Sequence, residues 1–138
     1  MAGTLCRVAA LVGGLLVAGG CRSSFAQADS GGGAITPAIV ALGDSIFHGL
    51  AGGAACFVCH GQDAKGTPGL APNLTDGTWL HGDGSYWSIL LLIQQGIADP
   101  KEGSAPMPPM GGAQLSPEQL HAVAAYVYAL SRKKAKGF

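Results

Sequence analysis

Cys56-Phe57-Val58-Cys59-His60 sets two thiols and one imidazole close together, with Gly61 directly after. On a helical turn, residues three and four apart share a face, so Cys56, Cys59 and His60 would all point the same way. The pattern C-x-x-C-H is the haem c attachment signature. The spacing has a chemical reason: two thioether bonds must reach the two vinyl groups on one edge of the macrocycle, and the adjacent imidazole must fall beneath the iron. Two other chemistries use paired thiols. A thioredoxin-type dithiol sits at the end of a strand in a βαβ pattern, and no strand pattern precedes Cys56. A structural zinc site needs four ligands, and a second Cys pair is missing once Cys6 and Cys21 are assigned to an apolar leader.

Iron in an electron carrier is usually six-coordinate, and a thioether sulfur is a common sixth ligand that raises the reduction potential. Ser104-Ala-Pro-Met-Pro-Pro-Met-Gly-Gly112 presents Met107 and Met110 in a segment locked by Pro and Gly. Methionine is ordinarily core filler, but this segment is expected not to be helical, so neither Met has a helix face to pack from. His48 and His121 lie on expected helices away from the apolar stripe. Each is a rival ligand, but nothing locks their backbone, and both are expected on the solvated surface. His81, in a Gly/Asp loop, is expected to be solvated as well. Lys65 and Lys101 either flank an exposed cofactor edge or lie on an ordinary solvated face.

Helices must hold these groups. The first is expected from Thr36 as cap and Pro37 at the first position to about His48, since the missing proline N–H is unbonded there anyway. A second runs over Tyr86–Gln95, capped by Ser85 and stopped by Gly96. The last opens on the capping box Ser116-Pro117-Glu118-Gln119 and continues to about Leu130, with Leu120, Val123, Ala124, Val127 and Leu130 at helical spacing. No segment alternates with period two for long, so the fold class is all-α.

From Pro37 to Ser131 the chain resembles the class I (mitochondrial-type) c-type cytochrome family, in its small bacterial monohaem branch. Gly43 and Phe47 match a Gly-x-x-x-aromatic pattern in the first helix. Cys56 to His60 match C-x-x-C-H, Pro72-Asn73-Leu74 match a Pro-Asn-Leu turn, and Met107-Pro108 match a Met-Pro loop. Tyr126 matches an aromatic of the final helix that packs on the first. The resemblance implies a cytochrome c fold of three to five helices and Gly-rich loops around one haem c, covalent through Cys56 and Cys59. It also implies that the Pro72 carbonyl accepts the Nδ1 proton of His60 and strengthens that ring as a ligand. Met107, which precedes Pro, would be the sixth ligand, with Met110 in a packing position. Trp79 would stand near the haem propionates, its indole N–H on one carboxylate, or else simply pack with that N–H in water. The function implied is one-electron transfer between periplasmic partners such as a dehydrogenase or terminal oxidase, with the iron cycling between Fe2+ and Fe3+: a carrier and not an enzyme. The alternatives are the haem subunit of a dehydrogenase or oxidase complex and a gas-binding or catalytic haem protein. The last needs an open iron position and distal polar groups, which the two methionines argue against.

The remaining sequence bounds the setting. Arg7 precedes the uncharged run Val8 to Ala18, a signal-peptide h-region too short to span a bilayer comfortably, and Ala26-Gln27-Ala28 offers a small-x-small cleavage site. The expected organisation is a signal peptide at 1–28, a flexible linker at 29–35, the cytochrome domain at 36–131 and a basic tail at 132–138, frayed from about Ser131. Export to the periplasm follows. Ala18-Gly19-Gly20-Cys21 loosely matches a lipobox without its usual Leu, and the alternative is a lipoprotein anchored through Cys21. Eight basic residues balance eight acidic ones, so no basic field suggests nucleic acid. With 23 glycines and few aromatics, the chain has a modest core of its own, a gap that a large cofactor would fill.

Overall fold

The computed structural model describes residues 33–101 and 105–133. The expected leader at 1–28, residues 29–32 of the linker and residues 134–138 of the tail lie outside the described residues, as do Cys6 and Cys21. The rest is helical: α1 (Pro37–Phe47), α2 (Phe57–His60), α3 (Tyr86–Gln95) and α4 (Pro117–Lys133), with a 3-10 turn at Pro109–Gly112. Extended pairing among the described residues is confined to two isolated bridges, Thr67 with Ala71 and Ile97 with Met107. This is the all-α class expected.

Local chemistry sets the helix ends. Thr36 Oγ1 accepts the Ile39 N–H at 3.3 Å, and Pro37 fills the first turn. Ser85 Oγ accepts the Ser88 N–H at 3.2 Å. At the start of α4 the capping is reciprocal: Gln119 N–H donates to Ser116 Oγ at 3.2 Å, and Ser116 N–H donates to Gln119 Oε1 at 2.9 Å.

The C-terminal boundary differs from expectation. Helix α4 runs past Leu130 to Lys133, and Ser131 is buried, its hydroxyl donating to the Tyr128 carbonyl at 2.8 Å. Arg132 donates to the Gly84 carbonyl at 3.1 Å, and its guanidinium lies 4.8 Å from the Tyr128 ring centroid. The chain therefore does not fray at Ser131. A cation over a ring face and a carbonyl bond hold one more turn. The Met-Pro-Pro-Met segment is also more ordered than an irregular loop, because Pro109–Gly112 closes into a 3-10 turn with Met110 at φ 52°.

The core forms where α1 crosses α4. Ile46 and Phe47 of α1 meet Val123 of α4 and Ile89 of α3, all at 1% exposure or less. Each such side chain contributes about 1.5–3 kcal/mol of burial. The crossing needs Gly43, since a Cβ there would overlap the Ala122 carbonyl and come within 2.7 Å of Tyr126 Cβ. That approach brings Tyr126 onto Phe47, ring centroids 5.4 Å apart. Both ends of the Gly-x-x-x-aromatic pattern are thus accounted for by one helix contact.

Candidate functional site

Between α2, α3 and the loops lies an apolar cleft, with about 1280 Å³ of empty space that includes open solvent at its mouth. Cys56, Cys59 and His60 line it together, as the one-face argument requires. Phe47, Val123 and Val127 form its back, and Ile89, Leu92 and Ile93 of α3 form a wall. Pro72, Trp79 and Met107 also line it; Met110 does not.

His60 is buried at 9% exposure, and its Nδ1 lies 3.1 Å from the Pro72 carbonyl oxygen. A carbonyl only accepts, so the ring proton sits on Nδ1 and the Nε2 lone pair is left for an electrophile. Burial pulls the His60 pKa below the ordinary histidine value and so favours the neutral ligating form, while the Pro72 bond opposes that shift. The loop that delivers Pro72 doubles back on itself. Gly66 N–H donates to the His60 carbonyl at 2.8 Å, Thr67 and Ala71 pair, and Leu74 N–H reaches the Ala64 carbonyl at 2.9 Å. Burial pushes the Cys56 thiol up, so before any bond forms it is held as the neutral thiol.

Met107 is placed by backbone. It exchanges two hydrogen bonds with Ile97, at 2.8 and 2.9 Å, directly after the end of α3. The thioether therefore approaches the cleft from a short antiparallel pair anchored on a helix, and Met110 turns away in a left-handed conformation. Trp79 is half-buried at the cleft with its indole edge against Gly84. Among the described residues no group of three or more His, Cys, Asp or Glu side chains gathers to hold a bare ion.

The other candidates need correction. His48 and His121 are not solvated surface residues. His48 bridges the carbonyls of Asp44 and Gln62, and His121 Nδ1 meets the Tyr86 hydroxyl. Tyr86 and Trp87 both pack against the His121 ring. His81 is not free either: its Nε2 accepts the Lys101 N–H at 3.2 Å, and both residues line the cleft. Lys65 pairs with Asp63 at 2.8 Å on an exposed face. Sequence reasoning missed two exposed apolar side chains, Leu50 at 81% and, in the attachment turn itself, Val58 at 62% exposure. Val58 had a signal, because a residue between the two cysteines on the outer side of the turn must face solvent.

The residues fit covalent haem: two thiols and a neutral imidazole share one face, a thioether enters by a separate element, and the lining is apolar. Comparison with known proteins agrees. The family model described as cytochrome c matches residues 40–131. The cbb3-type cytochrome c oxidase subunit CcoP of Rubrivivax gelatinosus is 41% identical over 95 residues, covering 69% of this chain and 27% of that protein. The subunit FixP of Rhizobium etli is 42% identical over 90 residues, 59% of this chain and 30% of its own length. CcoP of Rhodobacter capsulatus is 42% identical over 76 residues, 54% of this chain and 25% of its own. The chain thus matches less than a third of each of these relatives. No solved structure matches it significantly.

Proposed function

The chain belongs to the cytochrome c family, and from that premise we propose that it relays single electrons to a terminal oxidase of the cbb3 type, as a haem-bearing component of that complex. The observation that carries the reading is the convergence of Cys56, Cys59, His60 and Met107 on one apolar cleft. Cys56 and Cys59 would hold the haem by thioether bonds, and His60 and Met107 would ligate its iron. Haem c, when bound, supplies one-electron Fe2+/Fe3+ chemistry. The Pro72 carbonyl keeps the His60 proton on Nδ1 and orients the ring. The Ile97 bridge holds Met107 at the cleft, where it would ligate the iron, and this speaks against gas binding. Trp79, Lys101 and His81 line the same cleft and supply the polar edge that the carboxylates of the cofactor require.

On this reading the chain is an electron carrier, and the chemistry on oxygen would lie with the oxidase. The oxidase assignment is preferred to a freely diffusing periplasmic shuttle or a dehydrogenase subunit because the relatives named above are oxidase subunits. The leader read at 1–28 would put the domain outside the cytoplasm, as a released protein or held through Cys21. Among the described residues no helix is long and apolar enough to cross a membrane. Purification of the tagged chain from native membranes tests the assignment. It should bring down a haem–copper oxidase, and the reduced domain should be oxidised by that enzyme within its turnover time. Recovery as a lone monomer that the oxidase does not oxidise would overturn it.

A further inference from the structure

His48 caps the C-terminus of α1 and ties it to the loop behind His60. Its Nδ1 lies 2.9 Å from the Asp44 carbonyl and 3.0 Å from Asp44 Oδ1, and its Nε2 lies 3.0 Å from the Gln62 carbonyl. Every oxygen facing the ring is an acceptor. A neutral imidazole has one N–H and one lone pair, so either tautomer would aim a lone pair at an oxygen about 3 Å away; only the imidazolium donates on both sides. The position suits that charge, because the carbonyl end of a helix and a carboxylate both favour a cation.

We propose that His48 is a positioning residue that acts as an imidazolium strut, pinning the Gly61–Gly66 loop, and with it the backbone of His60, to α1 only while it is protonated. The role of His60 rests on the reading above; the strut itself does not. The loop is short and tightly bonded: Gln62 is two residues past His60, and Gly66 N–H closes onto the His60 carbonyl. Releasing Gln62 therefore loosens the segment that carries the ring.

The groups around His48 are few. Asp44 faces it from its own helix. Tyr126 of α4 stands 6.2 Å away ring to ring, its phenol pushed up to about 12 by burial and then by Asp44, so it stays neutral. Phe57 of α2 stacks at 6.3 Å and Phe47 lies edge-on at 5.1 Å, both uncharged. The loop contributes Gln62 and, further on, the exposed Asp63–Lys65 pair, whose charges offset each other. The Gln62 carbonyl bond raises the His48 pKa above its ordinary value of 6.5, Asp44 adds to the rise, and burial opposes it. A folded value above the unfolded one means stabilisation that is complete below about 6.5 and lost as pH rises through the raised value.

Hydrogen exchange in the ferrous holoprotein tests this, with protection factors for the Ala64 and Gly66 amides followed alongside the His48 ring resonances. Protection should fall about tenfold as His48 titrates, the worth of one charge-assisted bond. In His48→Lys, which keeps donors and charge without a lone pair, protection should stay high across the same range. In His48→Gln it should be low and flat. Wild-type protection that ignores the His48 titration, a His48 ring that titrates below 6.5, or a His48→Gln protein that follows the wild-type curve would each overturn the proposal. If His48→Gln does not fold, the wild-type ring titration and the Lys variant decide. Neither readout involves an oxidase, so failure of the oxidase assignment leaves this result standing.

Discussion

Gly96→Ala should separate the cost of an unusual backbone conformation from the cost of displacing the Met107 segment. Gly96 ends α3 with φ 70°, and its N–H donates to the Leu92 carbonyl at 2.9 Å. A Cβ built there would overlap the Met107 carbonyl oxygen and lie 2.7 Å from Pro109 N and 2.8 Å from Pro108 C. All of these are backbone atoms, so no rotamer change relieves the contact. Gly53 is the control: its φ is 71°, and a Cβ there meets nothing within 4 Å. Alanine at Gly53 pays only for left-handed backbone, about 1 kcal/mol. Gly96 has φ 70° and ψ −173°, a region essentially confined to glycine, so alanine there costs about 1–3 kcal/mol in backbone and a further ~1–3 kcal/mol for moving packed backbone, or about 2–6 kcal/mol in all. For a domain of this size each kcal/mol lowers Tm by roughly 4–8 °C. Urea unfolding of the ferric holoproteins measures the difference, and the ferric sulfur-to-iron charge-transfer band reports on Met107 directly. The band should weaken in Gly96→Ala and persist in Gly53→Ala. Equal costs for the two variants, or full band intensity in Gly96→Ala, would show that the contact with Gly96 does not position the thioether.

Met107→Ala should abolish that band, open the iron to carbon monoxide and lower the potential, while Met110→Ala should retain the band; optical spectra of both ferric proteins decide, and the reverse pattern would move the ligand to Met110. Gly43→Ala should cost about 3 kcal/mol or more, because its Cβ has no room against Ala122 and Tyr126 at the α1–α4 crossing, and denaturant unfolding will show it. Docking with the redox partner should depend weakly on salt: Lys65 is paired with Asp63, Arg132 is occupied at Gly84 and Tyr128, and apolar Leu50 and Val58 stand exposed. Clustered charge steers over a screening length of about 8 Å at physiological salt, so a hundredfold fall in the bimolecular electron-transfer rate with ionic strength would refute apolar docking.

The small-residue run Ala51–Ala55 is only partly available to such a partner, since Ala54 is 1% exposed and belongs to the core. The run Ala51-Gly52-Gly53-Ala54-Ala55 gave no hint of this, because small residues carry no periodic signal by which inside and outside can be told apart. Leu50 and Val58 are larger and exposed, and apolar docking would fall more on them.

What could be read from the chain alone was whatever is decided within a few residues. Helix starts at Thr36, Ser85 and Ser116 follow from side-chain caps that act three positions away, and the single face of Cys56, Cys59 and His60 follows from one turn of helix. Pro72 is twelve residues from His60, and only the resemblance supplied it; nothing in the local pattern says which carbonyl a buried imidazole will find. The misread residues share that distance. His48 depends on a carbonyl fourteen residues away, His121 on a tyrosine thirty-five residues away, and Arg132 on a glycine forty-eight residues away. For each, the composition of the neighbouring chain argued for solvent. Each is a polar group that three-dimensional packing gives a partner, and a histidine or arginine so held stops being an indifferent surface charge. At His48 this matters most, because the partner is the loop that carries the ligand, and two accepting oxygens leave the ring one protonation state in which both bonds can form.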